Sequence, residues 1–245
     1  MKKFKSYLNN EQGNIALFVI GLLSVMIILF VLILNLAGAL IVKEQAISTS
    51  QQAALAATAS LYEDLPDFIS DYETKLKEML AEEAEEEGGE TEPPEEAAPE
   101  EEEDTIAELI EKEVNNLSGE MAEYSLNEIQ NEAIDRVLSS EMDKGLGGGL
   151  LKKMLNDEME YRWINSMKES ARNTILANGG ELAGAQMTVF DNGQVVVKSS
   201  KEASAIGYNG FFAGAVKNLT KSSKGPEILF VQKLAGWEGR TYSLE

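Results

Sequence analysis

Residues 14–42 read NIALFVIGLLSVMIILFVLILNLAGALIV, and no charged side chain stands between Glu11 and Lys43. From Ile15 to Leu34 the run is almost unbroken Ile, Leu, Val, Phe and Met. Roughly 20 apolar residues are enough to cross a bilayer core of about 30 Å, so this stretch predicts a transmembrane helix with length to spare for tilt. Lys2, Lys3 and Lys5 precede it, whereas Lys43 after it is offset by Glu44. That asymmetry predicts a cytoplasmic N-terminus, with the remaining mass on the far side of the cell membrane. Ala37-Gly38-Ala39 also satisfies the small-x-small pattern of a signal-peptidase site. A signal peptide's apolar region is about 7–15 residues, shorter than this one, which favours a retained span.

Beyond the span, Lys43 to Tyr62 contains neither Gly nor Pro and is rich in Ala, Gln, Leu and Ser. One helix from Asn14 to Tyr62 is therefore expected, extending about 70 Å at about 1.5 Å per residue. Ala46, Ser50, Ala53, Ala57 and Ser60 recur at steps of four and three and form a stripe of small side chains on one face. Such a stripe lets a neighbouring helix approach closely. The alternative is an Ala-rich stalk selected for helix propensity.

The order of these features, Glu11-Gln12-Gly13-Asn14, then Ile15-Ala16-Leu17-Phe18 opening the apolar helix, then Gln51-Gln52-Ala53-Ala54-Leu55-Ala56-Ala57, resembles the N-terminal region of TadE/TadG-like proteins. Those are pseudopilin-like components of Flp (Tad) pilus assembly. The resemblance covers roughly the first 60 residues. It implies a prepilin-type cut after Gly13, with Asn14 the first residue of the processed form. Processed members carry Glu at the fifth position after the cut, and Phe18 stands there in this chain, as in TadG-like members that lack that Glu. The Asp-x-Ser-x-Ser motif of larger TadG-type proteins is not found in this sequence. The implied partners are the lipid bilayer and other pilus or secretion-system subunits, met through the N-terminal helix. The plain alternative is a bitopic anchor presenting an extracytoplasmic binding or sensing domain.

The formal charge of −21 is concentrated in the middle of the chain. Residues 63–132 hold 27 acidic and 3 basic side chains. Within them, residues 82–104 read EEAEEEGGETEPPEEAAPEEEED, which predicts a disordered, self-repelling linker and no D-x-D-x-D-G type calcium loop. Before it, Leu65, Phe68, Ile69, Tyr72, Leu76 and Leu80 mark an amphipathic helix starting near Pro66. After it, Thr105 with Glu108 and Ser125 with Glu128 form two capping boxes ahead of apolar helices. The glycine run at 145–149 is expected to end the second of these helices, and a third is expected over residues 150–177. Beyond Gly180 the pattern alternates, and Asn192-Gly193 between Met187–Phe190 and Gln194–Lys198 signals a hairpin. A third strand is expected at residues 227–234. Gly207–Gly214 lacks the Lys-Ser/Thr ending of a phosphate loop and reads as a plain loop, and Asn218-Leu219-Thr220 is a glycosylation sequon by pattern only.

The expected fold class is α+β: a long transmembrane and stalk helix, a disordered acidic linker, and distal helices with a small antiparallel sheet resembling a pilin-like head. The expected division is a leader at 1–13, span and stalk at 14–62, an amphipathic helix at 63–81, the linker at 82–104 and the extracytoplasmic domain at 105–245. The sequence contains no Cys and no His, which removes disulfides, thiolate or imidazole metal sites and imidazole-based triads. No carboxylate pair is marked out for acid–base work, so neither an enzyme, a cofactor nor a small-molecule substrate is expected. The acidic balance argues against nucleic-acid binding.

Overall fold

The computed structural model describes residues 11–87, 104–202 and 219–245. The start of the leader, residues 88–103 of the acidic tract, the Gly207–Gly214 loop and Asn218 of the sequon lie outside these residues.

Helix α1 runs without a break from Glu11 to Glu63, as its lack of internal Pro dictates. Its large apolar residues from Ile15 to Ile41 are exposed, apart from the partly buried Val31, whereas Ala46, Ala53, Ala54, Ala57 and Leu61 are fully buried. Helix α2, Leu65–Glu87, follows after a single-residue break at Asp64, with Pro66 in its first turn, where a missing N–H costs nothing. It buries Leu65, Phe68, Ile69 and Tyr72. The acidic tract was expected to be irregular from residue 82, but α2 continues through Glu87. Ala and Glu are good helix formers, and that propensity carries the helix past its last buried contact.

Helices α3 (Ile106–Glu120) and α4 (Leu126–Glu141) both open with complete capping boxes. In each, the Thr105 or Ser125 hydroxyl accepts from the backbone N–H of Glu108 or Glu128, whose carboxylate accepts in return from the cap residue's N–H. The glycine run does not end α4, which stops at Glu141. It forms the first turn of α5, Gly145–Glu158. A Cβ on Gly148 would lie 2.7 Å from the Met142 carbonyl oxygen, so a close passage of backbone demands glycine there. Leu151 and Leu155, both fully buried, hold this otherwise poor helix by tertiary packing. The expected single helix to residue 177 is two helices, α5 and α6 (Ile164–Ala177), joined by a π-helical turn at Met159–Trp163. That turn sinks Met159 and Trp163 into the core, with Phe68 edge-on to Trp163 at 5.3 Å.

The sheet has four antiparallel strands in the order β3-β2-β1-β4, with β1 Glu181–Asp191, β2 Gln194–Lys201, β3 Leu219–Glu227 and β4 Arg240–Ser243. The expected hairpin is present: Asp191 pairs with Gln194, and Asn192 and Gly193 both take left-handed φ. The third strand lies earlier than expected. Residues 219–227 read LTKSSKGPE, in which the inward positions Ser223 and Gly225 lie against α1, so the strand carries no apolar alternation. Residues 230–233 form a 3-10 turn, where Phe230 and Val231 point into the core beside Ile228 and Leu234.

One hydrophobic core spans both sides of the acidic tract, taking in Leu61 and Phe68 before it and Leu138, Trp163, Val197 and Phe230 after it. Residues 43–62 were expected to continue the span as an extended stalk, with the distal domain beyond the acidic linker. They are instead the central helix of the head, packed on α6, β2 and β3. A small satellite cluster of Leu117, Ile129 and Ala133 ties α3 to α4.

Candidate functional site

Two features of α1 carry chemistry. The first is the exposed apolar half. Among the described residues nothing in the head covers it, and it is the one stretch long and apolar enough to cross a membrane. Gly13 and Asn14 lie in the first turns of α1, and Phe18 is exposed, so no head contact explains an apolar side chain there.

The second is the stripe of small residues. The structure places Ala46, Ser50, Ala53, Ala57 and Ser60 together, all buried, against the chain's own sheet and α6. Ser50 Oγ donates to the Lys221 carbonyl at 2.9 Å and lies 2.8 Å from Ser199 Oγ, so the Ser199 hydroxyl is left to donate to Ser50. Ser223 Oγ donates to the Ile47 carbonyl at 3.1 Å. These bonds satisfy hydroxyls that the helix brings into the core, at the point where β2 and β3 cross it. Higher up, β3 comes closer still. A Cβ on Gly225 would stand 2.9 Å from Thr58 Oγ1 and 3.3 Å from the Ala54 carbonyl oxygen. Gly225→Val is expected to destabilise the head by about 1–3 kcal/mol through overpacking, read as a fall in the thermal midpoint. An unchanged midpoint would mean that β3 and α1 have slack between them.

Sequence reasoning missed a third feature, a buried acid at the junction of α1, α4 and the 3-10 turn. The Tyr62 hydroxyl donates to Asp135 Oδ2 at 2.8 Å, and Asp135 is 2 % exposed. Burial pushes the Asp135 carboxyl up to about 7, against the lowering pull of the Tyr62 hydroxyl and of the Leu229 and Phe230 amides. Burial, and then the adjacent Asp135 charge, hold the Tyr62 phenol far above its ordinary value. The junction can therefore keep or release one proton near neutrality. The only hint in the sequence was an Asp between the apolar residues Ile134 and Val137 of an amphipathic helix. Among the described residues no group of acidic side chains could hold a metal ion.

Compared with known proteins, residues 13–60 match the family model described as "Putative Flp pilus-assembly TadE/G-like". The match begins at Gly13 and ends at Ser60, the last residue of the stripe, and covers about a fifth of the chain. No curated protein and no solved structure matches the chain. The N-terminal region of this chain is thus similar to the TadE/G-like family of Flp pilus assembly, and its apolar helix fits a membrane component of that kind.

Proposed function

We propose that this chain is a single-pass, pseudopilin-like structural component of a Tad/Flp-type surface pilus or a related secretion system. Residues 1–13 form its cytoplasmic leader and its head lies outside the membrane. The observation that carries this reading is the double use of α1: one unbroken helix is bare and apolar in its first half and forms the centre of the head in its second. A head built around its own anchor is held at a fixed orientation to the bilayer, as a subunit that packs side by side with others requires. The bare half supplies the surface for lipid and for neighbouring helices. Lys2, Lys3 and Lys5 set the orientation.

The N-terminus of the membrane-extracted protein tests whether the span is kept. Mass spectrometry should find Met1 or, after prepilin-type processing, Asn14. An N-terminus at Leu40 would make the protein a released one and overturn the reading. Protease added to intact protoplasts should cut the acidic tract, and its protection would reverse the topology. Because the chain has no cysteine, Leu32→Cys introduces a single thiol into the span. In native membranes that thiol should cross-link to other subunits when a bifunctional reagent is added. Cross-linking to lipid alone would favour the plain anchor.

A further inference from the structure

Between α1 and α4 lies a cleft of about 510 Å³ that the membrane reading does not use. Its walls are apolar, formed in part by Leu55 of α1, Tyr124 of the α3–α4 loop and Pro226 at the end of β3. Leu55 and Tyr124 both line the cleft and are each about half exposed, so apolar surface stands open within it. Among the described residues, every charged side chain lining the cleft is acidic: Glu128, Glu132, Asp135 and Glu227. Glu128 is committed to its capping box, Glu132 accepts from Arg136 at 2.8 Å, and Glu227 accepts from Gln232. Each of these three has spare acceptor capacity, since a carboxylate takes about four hydrogen bonds.

Two further polar groups belong to the same lining. Thr58 and Asp135 are each 2 % exposed; the Asp135 carboxylate is held by Tyr62 and the amides of the 3-10 turn, whereas Thr58 Oγ1 has no hydrogen-bond partner among the described residues. Buried polar atoms left unsatisfied are rare and call for an explanation, of which a bound group is one. An apolar slot with acceptors at its base and rim, and no cation among the described residues of its lining, fits a group with an aliphatic stem and a positive head.

We propose that this cleft receives a lysine or arginine side chain from a partner protein, with the stem against Leu55, Tyr124 and Pro226 and the head among Thr58, Glu132 and Glu227. Charge complementarity selects this occupant over an acidic or wholly apolar segment. The proposal is independent of whether α1 spans a membrane. The Asp135 carboxyl, facing Tyr62 of α1, Glu132 of its own helix and the amides of the 3-10 turn, adds negative charge beneath the site as it ionises, so binding tightens from pH 6 to pH 8.

The test uses the full chain in detergent micelles with labelled tyrosines, since Tyr62 and Tyr124 both line the cleft. It is titrated with n-butylammonium, n-butylguanidinium, n-butanol and butyrate, and then with a short peptide holding one Lys between Leu and Ala and with its norleucine counterpart. The two cations and the Lys peptide should shift the Tyr124 and Tyr62 ring signals saturably. Butanol and the norleucine peptide should bind at least about tenfold more weakly, and butyrate should not bind. The double variant Glu132→Gln, Glu227→Gln should lose about tenfold in affinity for the cations, while Glu238→Gln, outside the cleft, should lose none. Equal binding of butanol and butylammonium on the unaltered protein would overturn the proposal without any variant. So would cation binding that the double variant leaves intact, or binding of the small cations but not of the Lys peptide.

Discussion

A fragment starting at Lys43 is expected to fold and stay in solution, and one starting at Glu63 is expected not to fold. The second cut follows the boundary that the sequence suggests between stalk and amphipathic helix. It removes Ala46, Ala53, Ala54, Ala57 and Leu61, all fully buried, together with the Ser50 bonds to Ser199 and Lys221. The sheet and α6 lose the element on which they pack. Each large apolar side chain uncovered forfeits about 1.5–3 kcal/mol, and several such losses exceed a domain stability of about 5–15 kcal/mol. The first cut removes only the bare apolar half and leaves the core whole. Circular dichroism and amide-proton dispersion separate the two cases. A cooperative thermal transition in the fragment from Glu63 would show that α1 is an accessory of the head.

Asp135 should make the head less stable as the pH rises towards neutrality. Its carboxyl is held up to about 7 in the fold, from an ordinary value of 3.8. The native state therefore binds more protons than the unfolded chain between those values. The stabilisation is complete below about pH 4 and is lost as the pH passes through about 7, amounting to about 4 kcal/mol at most. The Tyr62 phenol, raised further from neutrality, stays protonated throughout and keeps donating. Asp135→Asn preserves an acceptor for it without the charge. The stability of the natural protein relative to this variant should fall between pH 5 and pH 8, and the variant should be the more stable of the two at pH 8. Chemical denaturation at several pH values measures that difference and cancels the many exposed carboxylates common to both proteins. A difference that stays constant with pH would place the Asp135 titration outside this range.

The features legible in the sequence are those set by short-range rules. The uncharged run from Asn14 to Val42, the two capping boxes and the Asn192-Gly193 turn each owe their structure to neighbours a few residues away. The elements misplaced are those that owe it to distant contacts. The strand at Leu219–Glu227 is polar because it lies against the Ala and Ser face of α1, and the helix at Gly145–Glu158 survives its glycines because Leu151 and Leu155 are buried. The stripe from Ala46 to Ser60 was visible as a surface for close packing. Its neighbour, the chain's own sheet, lies more than 100 residues further along. Asp135 went unnoticed for the same reason, since its partner Tyr62 lies on the other side of the acidic tract.

The absence of any joint between the bare and the buried halves of α1 makes the helix a rigid shaft. A helix advances about 100° and about 1.5 Å per residue, so one Ala inserted after Lys43 would swing the whole head about 100° around the membrane normal while lifting it hardly at all. Seven inserted residues would bring the head back to within about 20° of its first bearing, but about 10 Å higher. With α1 anchored in a bilayer as proposed, the number of residues between membrane and core would set the compass bearing of the head, and a neighbour packing on the head would have to share that count.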